Sequence, residues 1–211
     1  MRQQLWLPSL FVAAIAIGGC KKNPLNHLST DETRVYVTNF DSSAKFNSYK
    51  TFSVADSVSV IQDNQLLGQE LTNYDTTLIG SIKSIMQQRG YTLVGKSNNP
   101  DLAINISKII NTTTNIIDYS TYWDGYAGYY DPYYWGYPDY GYYSPYMMGV
   151  YTSQSKGLEI DMLDLKNATA NGNKIVSLWS GLAMGEAVFD PVNAKTEANY
   201  LFNQSDYIKT N

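Results

Sequence analysis

Three carboxylates, Glu159, Asp161 and Asp164, form the densest group of potential acid–base residues outside a tyrosine-rich segment of this 211-residue chain. Glycoside hydrolysis requires two carboxyl groups that flank the bond to be broken. On a β-strand, however, Glu159 and Asp161 point to one face, while Leu158 and Ile160 point to the other. That alternation is typical of a strand with one solvated face. The sequence therefore predicts no catalytic residues and no enzyme activity.

Cysteine and histidine each occur once, at Cys20 and His27, which restricts the chemistry further. A single Cys excludes an internal disulfide and a zinc site made of several Cys, and a single His excludes a His-cluster metal site. Because His27 lies in a polar leader without fixed neighbours, we do not expect it to act as a base or a ligand. We predict no metal and no cofactor. The net charge of −4 argues against nucleic-acid binding, which needs clustered Lys and Arg.

The first twenty residues have the features of an export signal. Arg2 precedes an apolar stretch, residues 5–17, that is too short to span a bilayer. The segment Ile17-Gly18-Gly19-Cys20 resembles the lipobox of bacterial lipoproteins; the alternative is an ordinary secretory signal with an incidental Cys. The resemblance implies a signal peptide over residues 1–19 and a lipid-modified Cys20, with residues 20–33 as a flexible tether. Cys20 is followed by Lys21 and Lys22 and not by Asp, a pattern that resembles lipoproteins sent to the outer membrane. We expect the protein to face the periplasm.

Residues 119–151, the tyrosine-rich segment, hold thirteen of the nineteen Tyr and follow neither a strand nor a helix period. Three interpretations remain open: a loop packed on the sheet, a recognition surface, or a platform for carbohydrate or peptidoglycan. Its Asp124, Asp131 and Asp139 lack the fixed spacing of a cation-binding loop. The candidate binding residues are aromatic: Tyr122, Trp123, Tyr126, Tyr129, Tyr130, Tyr133, Tyr134, Trp135, Tyr137 and Tyr140.

Around this segment, the sequence predicts a single α+β domain over residues 34–211. Apolar positions spaced by three and four predict a helix over residues 73–89, with Thr72 and Asp75 as a capping box and Gly90 as its stop. Asp190 and Pro191 predict the start of a second helix that ends near residue 203. Alternating or β-branched runs predict strands over residues 35–40, 49–54, 58–61, 91–94, 102–110, 157–165 and 174–181. The expected architecture is a single, mainly antiparallel sheet with two helices packed on one face and a long Tyr/Gly-rich insertion.

Several short motifs, taken in order, resemble the domain-of-unknown-function 4136 family of bacterial lipoproteins over residues 34–208. The motifs are Asn39-Phe40-Asp41, Phe46 to Phe52, Arg89-Gly90-Tyr91, Asn99-Pro100-Asp101-Leu102, Gly157 to Asp164, and Leu178-Trp179-Ser180-Gly181. The resemblance implies a compact α+β lipoprotein domain, and it implies no established activity or catalytic residue.

These observations predict a lipid-anchored lipoprotein of the bacterial cell envelope that acts as a non-catalytic binding or scaffolding module. The tyrosine-rich segment is its expected contact surface, and the partners are the membrane, through the anchor, and an envelope protein or glycan. The alternative function is carbohydrate or peptidoglycan binding through aromatic stacking.

Overall fold

The computed structural model describes residues 34–63, 65–112, 132–144 and 155–211. The predicted anchor Cys20 lies outside the described residues, as do His27 and the first half of the tyrosine-rich segment, with the candidate binding residues Tyr122, Trp123, Tyr126, Tyr129 and Tyr130. In the described part of the chain, no helix is both long and apolar enough to cross a membrane.

Nine strands of the described residues form one sheet. In chain order they are β1 (Val35–Phe40), β2 (Thr51–Val54), β3 (Val58–Gln62), β4 (Gln65–Glu70), β5 (Thr92–Leu93), β6 (Leu102–Asn111), β7 (Gly141–Tyr143), β8 (Ser155–Asp164) and β9 (Lys174–Met184). Short 3-10 turns cover Phe46–Ser48 and Lys96–Asn98.

The centre of the sheet is the long antiparallel trio β6, β8 and β9. The outer side of β6 pairs first with β2 and then with β3, both in parallel, while β5 extends β2 and β4 extends β3. The outer side of β9 pairs with β7 in parallel and with β1 in antiparallel orientation. The sheet is therefore mainly antiparallel with some parallel pairs, which confirms the predicted fold class.

The first helix, α1 (Asn73–Gln88), begins and ends where its sequence signals predict. The carboxylate of Asp75 accepts the backbone N–H of Thr72 at 2.7 Å, and the Thr72 hydroxyl accepts the backbone N–H of Asp75 at 3.4 Å, which completes the capping box. Gly90 follows with a φ of +94°. An added Cβ there would lie 2.1 Å from the hydroxyl oxygen of Thr210, so this position requires glycine for two reasons.

The second helix, α2 (Ala194–Asn203), begins later than predicted. Asp190 does not cap it, because its carboxylate accepts the backbone N–H of Val192 at 3.1 Å and its carbonyl accepts that of Asn193 at 2.9 Å, in a separate turn. The C-terminal end of α2 is tied to α1 by Arg89. Its guanidinium donates to carbonyl oxygens of Phe202 and Ser205, at 2.6 Å each, and of Ile208 at 3.1 Å.

Both helices pack on one face of the sheet and bury the main hydrophobic core against it. The largest fully buried side chains there are Phe52, Leu78, Ile82, Met86, Leu102, Ile104, Ile106, Leu158, Ile160, Trp179 and Phe202. The opposite face of the sheet, called the second face below, carries a smaller apolar cluster that includes Ala103, Leu163 and Ile175. The alternation of the strands thus supplies side chains to two layers.

Candidate functional site

The second face of the sheet carries a row of polar side chains at its centre. Strand register places Asp161 of β8 opposite Asn105 of β6 and opposite Ser180 of β9. Glu159, one step along the same face, lies opposite Ser107. Directly opposed residues in antiparallel strands have Cβ atoms about 5 Å apart, so these groups are close neighbours.

This row is buried, and the prediction of a solvated face at Glu159 and Asp161 is wrong. Glu159 is 8% exposed and Asp161 is 3% exposed, and Asn105 and Ser107 are also buried. The strand alternation was assigned correctly, since Leu158 and Ile160 do face the helix-side core. The error concerns the environment of the other face, because a pattern within one strand does not show what covers that strand.

Burial determines the protonation of the two carboxyl groups. The pKa of Glu159 is raised well above its ordinary range, first by loss of hydration and then by the charge of Asp161. Loss of hydration also raises the pKa of Asp161, while hydrogen bonds from the hydroxyls of Ser180 and Ser177 oppose that rise. Both effects favour a proton that the pair shares, and its titration belongs to the pair rather than to either residue alone.

Hydrogen bonding around the pair is incomplete. Among the described residues, Oε2 of Glu159 and Nδ2 of Asn105 have no hydrogen-bond partner. The hydroxyl of Tyr142 is close enough to the pair that both charges raise its pKa, in addition to burial. A buried carboxyl group with a raised pKa can hold or release a proton, and such groups are common at functional sites although not confined to them.

Residues 132–144, called the aromatic segment below, pack on the second face beside this row. The buried Trp135 donates from Nε1 to Oδ1 of Asn105 at 3.1 Å. Next to it, the hydroxyl of Tyr134 donates to the carboxylate of Asp56 at 2.8 Å, and this bond lowers the pKa of Asp56, with a further contribution from Lys96. The ammonium group of Lys96 lies 4.0 Å from the centre of the Tyr134 ring.

The other rings of the aromatic segment complete the small second core. The hydroxyl of Tyr137 donates to the carbonyl oxygen of Leu165 at 3.3 Å, and the hydroxyl of Tyr140 lies 2.9 Å from that of Thr169. The two rings meet edge to face, with centres 5.0 Å apart. Four predicted binding residues, Tyr134, Trp135, Tyr137 and Tyr140, thus have structural contacts with the sheet and its loops.

Tyr133 is the predicted binding residue in the aromatic segment that remains exposed, at 72%. It lies in a tight turn in which the backbone N–H groups of Trp135 and Tyr137 donate to the carbonyl of Pro132 at 3.1 and 2.7 Å. An open pocket of about 450 Å³ adjoins Tyr134 and is lined by Asp56, Lys83 and Lys96 among others. A fixed turn thus holds the exposed Tyr133, and its chain neighbour Tyr134 lines a concave surface.

The described residues contain no group of three or more His, Cys, Asp or Glu side chains placed to hold a metal ion.

A sequence profile described as a domain of unknown function, DUF4136, matches residues 36–205. The chain belongs to the DUF4136 family. A crystal structure of a DUF4136 family protein from Bacteroides thetaiotaomicron is 27% identical, with a TM-score of 0.66, and the match covers 84% of this chain and 98% of that one. No curated protein matches the chain.

Several DUF4136-like motifs have structural roles in this chain. Besides the contacts of Arg89 and Gly90, the hydroxyl of Tyr91 donates to the carbonyl of Phe46 at 3.1 Å. The carboxylate of Asp101 accepts the backbone N–H of Lys50 at 2.6 Å, which joins two motifs that are distant in sequence. The motif from Gly157 to Asp164 differs, because it contains the buried pair Glu159 and Asp161, whose polar atoms are only partly bonded.

The sequence analysis singled out Glu159 and Asp161 but interpreted them as a solvated strand face, and it did not connect them with Asn105, Ser107 or Tyr142. A signal existed for the first two, since Asn105 and Ser107 alternate with Leu102, Ile104 and Ile106 on a predicted strand. Their proximity to the carboxyl groups depends on the register between β6 and β8, which one sequence does not reveal. Tyr142 was hidden in a segment without any regular period.

Proposed function

We propose that this DUF4136 protein is a lipid-anchored lipoprotein of the bacterial outer membrane that faces the periplasm and acts as a non-catalytic binding or scaffolding module. The lipobox-like segment that ends at Cys20, followed by Lys21 and Lys22, supports the anchor and the address. Membership in a family whose profile spans residues 36–205 supports one domain after the tether.

The observation that carries the binding role is the exposure of Tyr133 on a fixed turn. Tyrosine offers a large contact area and a hydroxyl at a low cost in side-chain entropy, which is why it is common in recognition surfaces. The neighbouring Tyr134 and Trp135 are held by Asp56 and Asn105, so little ordering of the backbone is required when a partner binds. Among the described residues, the proposed contact surface is therefore Tyr133 together with the pocket that Tyr134 lines.

The pocket beside Tyr134 adds charge to this contact surface. Lys83 and Lys96 line it together with Asp56, whose carboxylate lies 3.8 Å from the Lys96 ammonium group. An exposed pair of this kind contributes little to stability but can orient a charged partner. We expect an envelope protein that places an apolar or aromatic side chain against Tyr133 and an acidic group near Lys83.

A photo-cross-linking amino acid tests the contact surface in intact cells. The full chain would carry it at residue 133 or, as the matched control, at residue 200 on α2, where Tyr200 is 53% exposed. We expect a discrete cross-linked product from position 133 and not from position 200. No product at position 133, or the same products at both positions, would refute this contact surface. Cross-links to peptidoglycan would instead support the carbohydrate alternative.

The anchor is tested separately. Cys20→Ala should prevent lipid attachment, so that the protein no longer partitions into the detergent phase, whereas Cys20 in the parent chain should incorporate a labelled fatty acid. Retention of Cys20→Ala in the detergent phase would contradict the lipid anchor. It would not affect the proposed contact surface, which the photo-cross-linking experiment tests separately.

A further inference from the structure

Among the described residues, strand β1 forms an edge of the sheet that has no charge, Pro or bulge to discourage pairing. Its six residues, Val35–Phe40, include no charged residue and no Pro. Its register with β9 runs without a shift from Val35, opposite Met184, to Phe40, opposite Trp179. Edge strands in stable monomers are commonly short, charged, bulged or interrupted by Pro, because a regular exposed edge pairs with other strands.

The other described edges are protected in these ways. Strand β4 has a register shift against β3 between Val60 and Ile61, and its Gly68 has a φ of +143°. Strand β5 has two residues and β7 has three, so neither offers a long ladder. Among the strands that the structure describes, β1 is therefore the one edge that is regular, uncharged and six residues long.

The backbone of β1 has groups that point away from its partner strand. The N–H of Asp41 donates to the carbonyl of Leu178 at 2.9 Å, just beyond the ladder of β1 with β9. Antiparallel pairing alternates, so residues at even positions direct their N–H and C=O groups outward, among them Thr38 and Phe40. In the described parts of the chain, no strand pairs with this side of β1.

An apolar patch lies beside this edge on the second face. Val35 and Val37 are 49% and 39% exposed, and register places them next to Met184 and Leu182 of β9, which are half-buried. Exposed β-branched residues on an edge strand gain contacts when a further strand is added to the sheet. The backbone and the side chains of β1 therefore favour the same kind of partner.

We propose that the outer edge of β1 pairs with β1 of a second copy of this chain, in antiparallel orientation, so that two sheets become one. Two identical strands that pair in antiparallel orientation are related by a twofold axis. Each outward N–H of one copy then meets an outward carbonyl of β1 in the other copy. The absence of charge from Val35–Phe40 means that no like charges are brought together.

The register of this pair follows from the outward groups. With Thr38 on the twofold axis, the backbone of Thr38 bonds to its own counterpart, and Val37 lies opposite Asn39 of the second copy. The two patches of Val35 and Val37 then lie on the same face on either side of the axis.

A pair of variants at residue 38 tests the proposal by sedimentation of the full-length protein in detergent. Thr38→Pro removes the outward N–H while preserving the bonds of β1 to β9, since Pro is tolerated where the N–H faces solvent. Thr38→Val removes only the hydroxyl and is the matched control. We expect dimers for the parent chain and for Thr38→Val, and a dimer dissociation constant about tenfold higher or more for Thr38→Pro.

Circular dichroism and tryptophan fluorescence verify that Thr38→Pro is folded, and a cross-linking experiment provides an independent measurement. A thiol cross-linker should join two copies of Thr38→Cys in membranes but not two copies of Leu67→Cys on β4. A monomeric parent chain would overturn the proposal. So would dimers unaffected by Thr38→Pro, equal cross-linking at position 67, or cross-linking of position 38 to a different protein.

Discussion

Glu197 is a buried acid on α2 whose protonation should make the stability of the domain depend on pH. Its carboxylate accepts the hydroxyl of Tyr74 and lies 3.7 Å from the guanidinium of Arg34, and its side chain is fully buried. Loss of hydration nevertheless dominates and raises its pKa from 4.5 to about 7, against the opposing effects of Tyr74 and Arg34 and with a small contribution from Asp190.

The sign and size of the effect follow from this pKa. A group with a raised pKa in the folded state stabilises the fold fully below its unfolded pKa, and this contribution is lost as the pH rises through the folded value. One pKa unit corresponds to about 1.4 kcal/mol, so the interval from 4.5 to about 7 corresponds to at most about 3.5 kcal/mol. Glu197→Gln cannot ionise and should not lose this amount.

The effect is measured by urea unfolding at about pH 5 and at about pH 8, with tryptophan fluorescence as the signal. Relative to the parent chain, the free energy of unfolding of Glu197→Gln should increase by about 2.5 kcal/mol between the lower and the higher pH. The exposed Glu186→Gln provides the matched control and should follow the parent chain at both. A difference between Glu197→Gln and the parent that stays within about 0.5 kcal/mol across this range would refute the reasoning.

Three further changes test the packing and the candidate site. Trp135→Ala should lower the free energy of unfolding by about 3 kcal/mol in the same titration, since it leaves a cavity in the second core, whereas Trp135→Phe should cost less. Gly90→Ala should lower Tm, because its Cβ would lie 2.1 Å from a threonine hydroxyl at a φ of +94°. Gly80→Ala, whose added Cβ would lie in open space on α1, should raise the free energy of unfolding by about 1 kcal/mol. Equal effects of Gly90→Ala and Gly80→Ala would contradict the steric argument. Glu159→Gln should gain stability relative to the parent chain as the pH rises, because the raised pKa of Glu159 means that ionisation weakens the fold; a pH-independent difference would exclude this.

The elements with local signals were predictable from the sequence. The first helix has a capping box at Thr72, apolar side chains on one face and a glycine stop at Gly90, and each of these acts within a few residues. The α+β class followed from the same local patterns, because strands with one apolar face and an amphipathic helix must pack against each other.

Two strands whose own residues have little strand preference were missed. Strand β4 has the sequence Gln65 to Glu70, which is poor in β-branched residues, and it forms because β3 offers it an edge. Strand β7 lies in the tyrosine-rich segment, where Gly141–Tyr143 pair with the start of β9. In both places tertiary pairing outweighs the weak local preference.

The candidate site shows the same division. The faces of Glu159 and Asp161 could be assigned from alternation alone, but their burial depends on other parts of the chain, among them Tyr142, which lies close to both, and neighbours across β6 and β9. Similarly, composition identified the tyrosine-rich segment, whereas only the geometry separates the packed Tyr134 from the exposed Tyr133.

The pairing of β1 with β9 has a consequence for when the domain can fold. The first strand of the sheet has its partner near the C-terminal end of the chain, and Arg89 requires the carbonyls that follow α2. Contacts between such distant parts form slowly, because a long loop must close before they stabilise anything. A chain that is still being synthesised lacks both partners, so it cannot complete its sheet. With the export proposed above, that delay would keep the precursor in a form able to pass through a membrane before it folds.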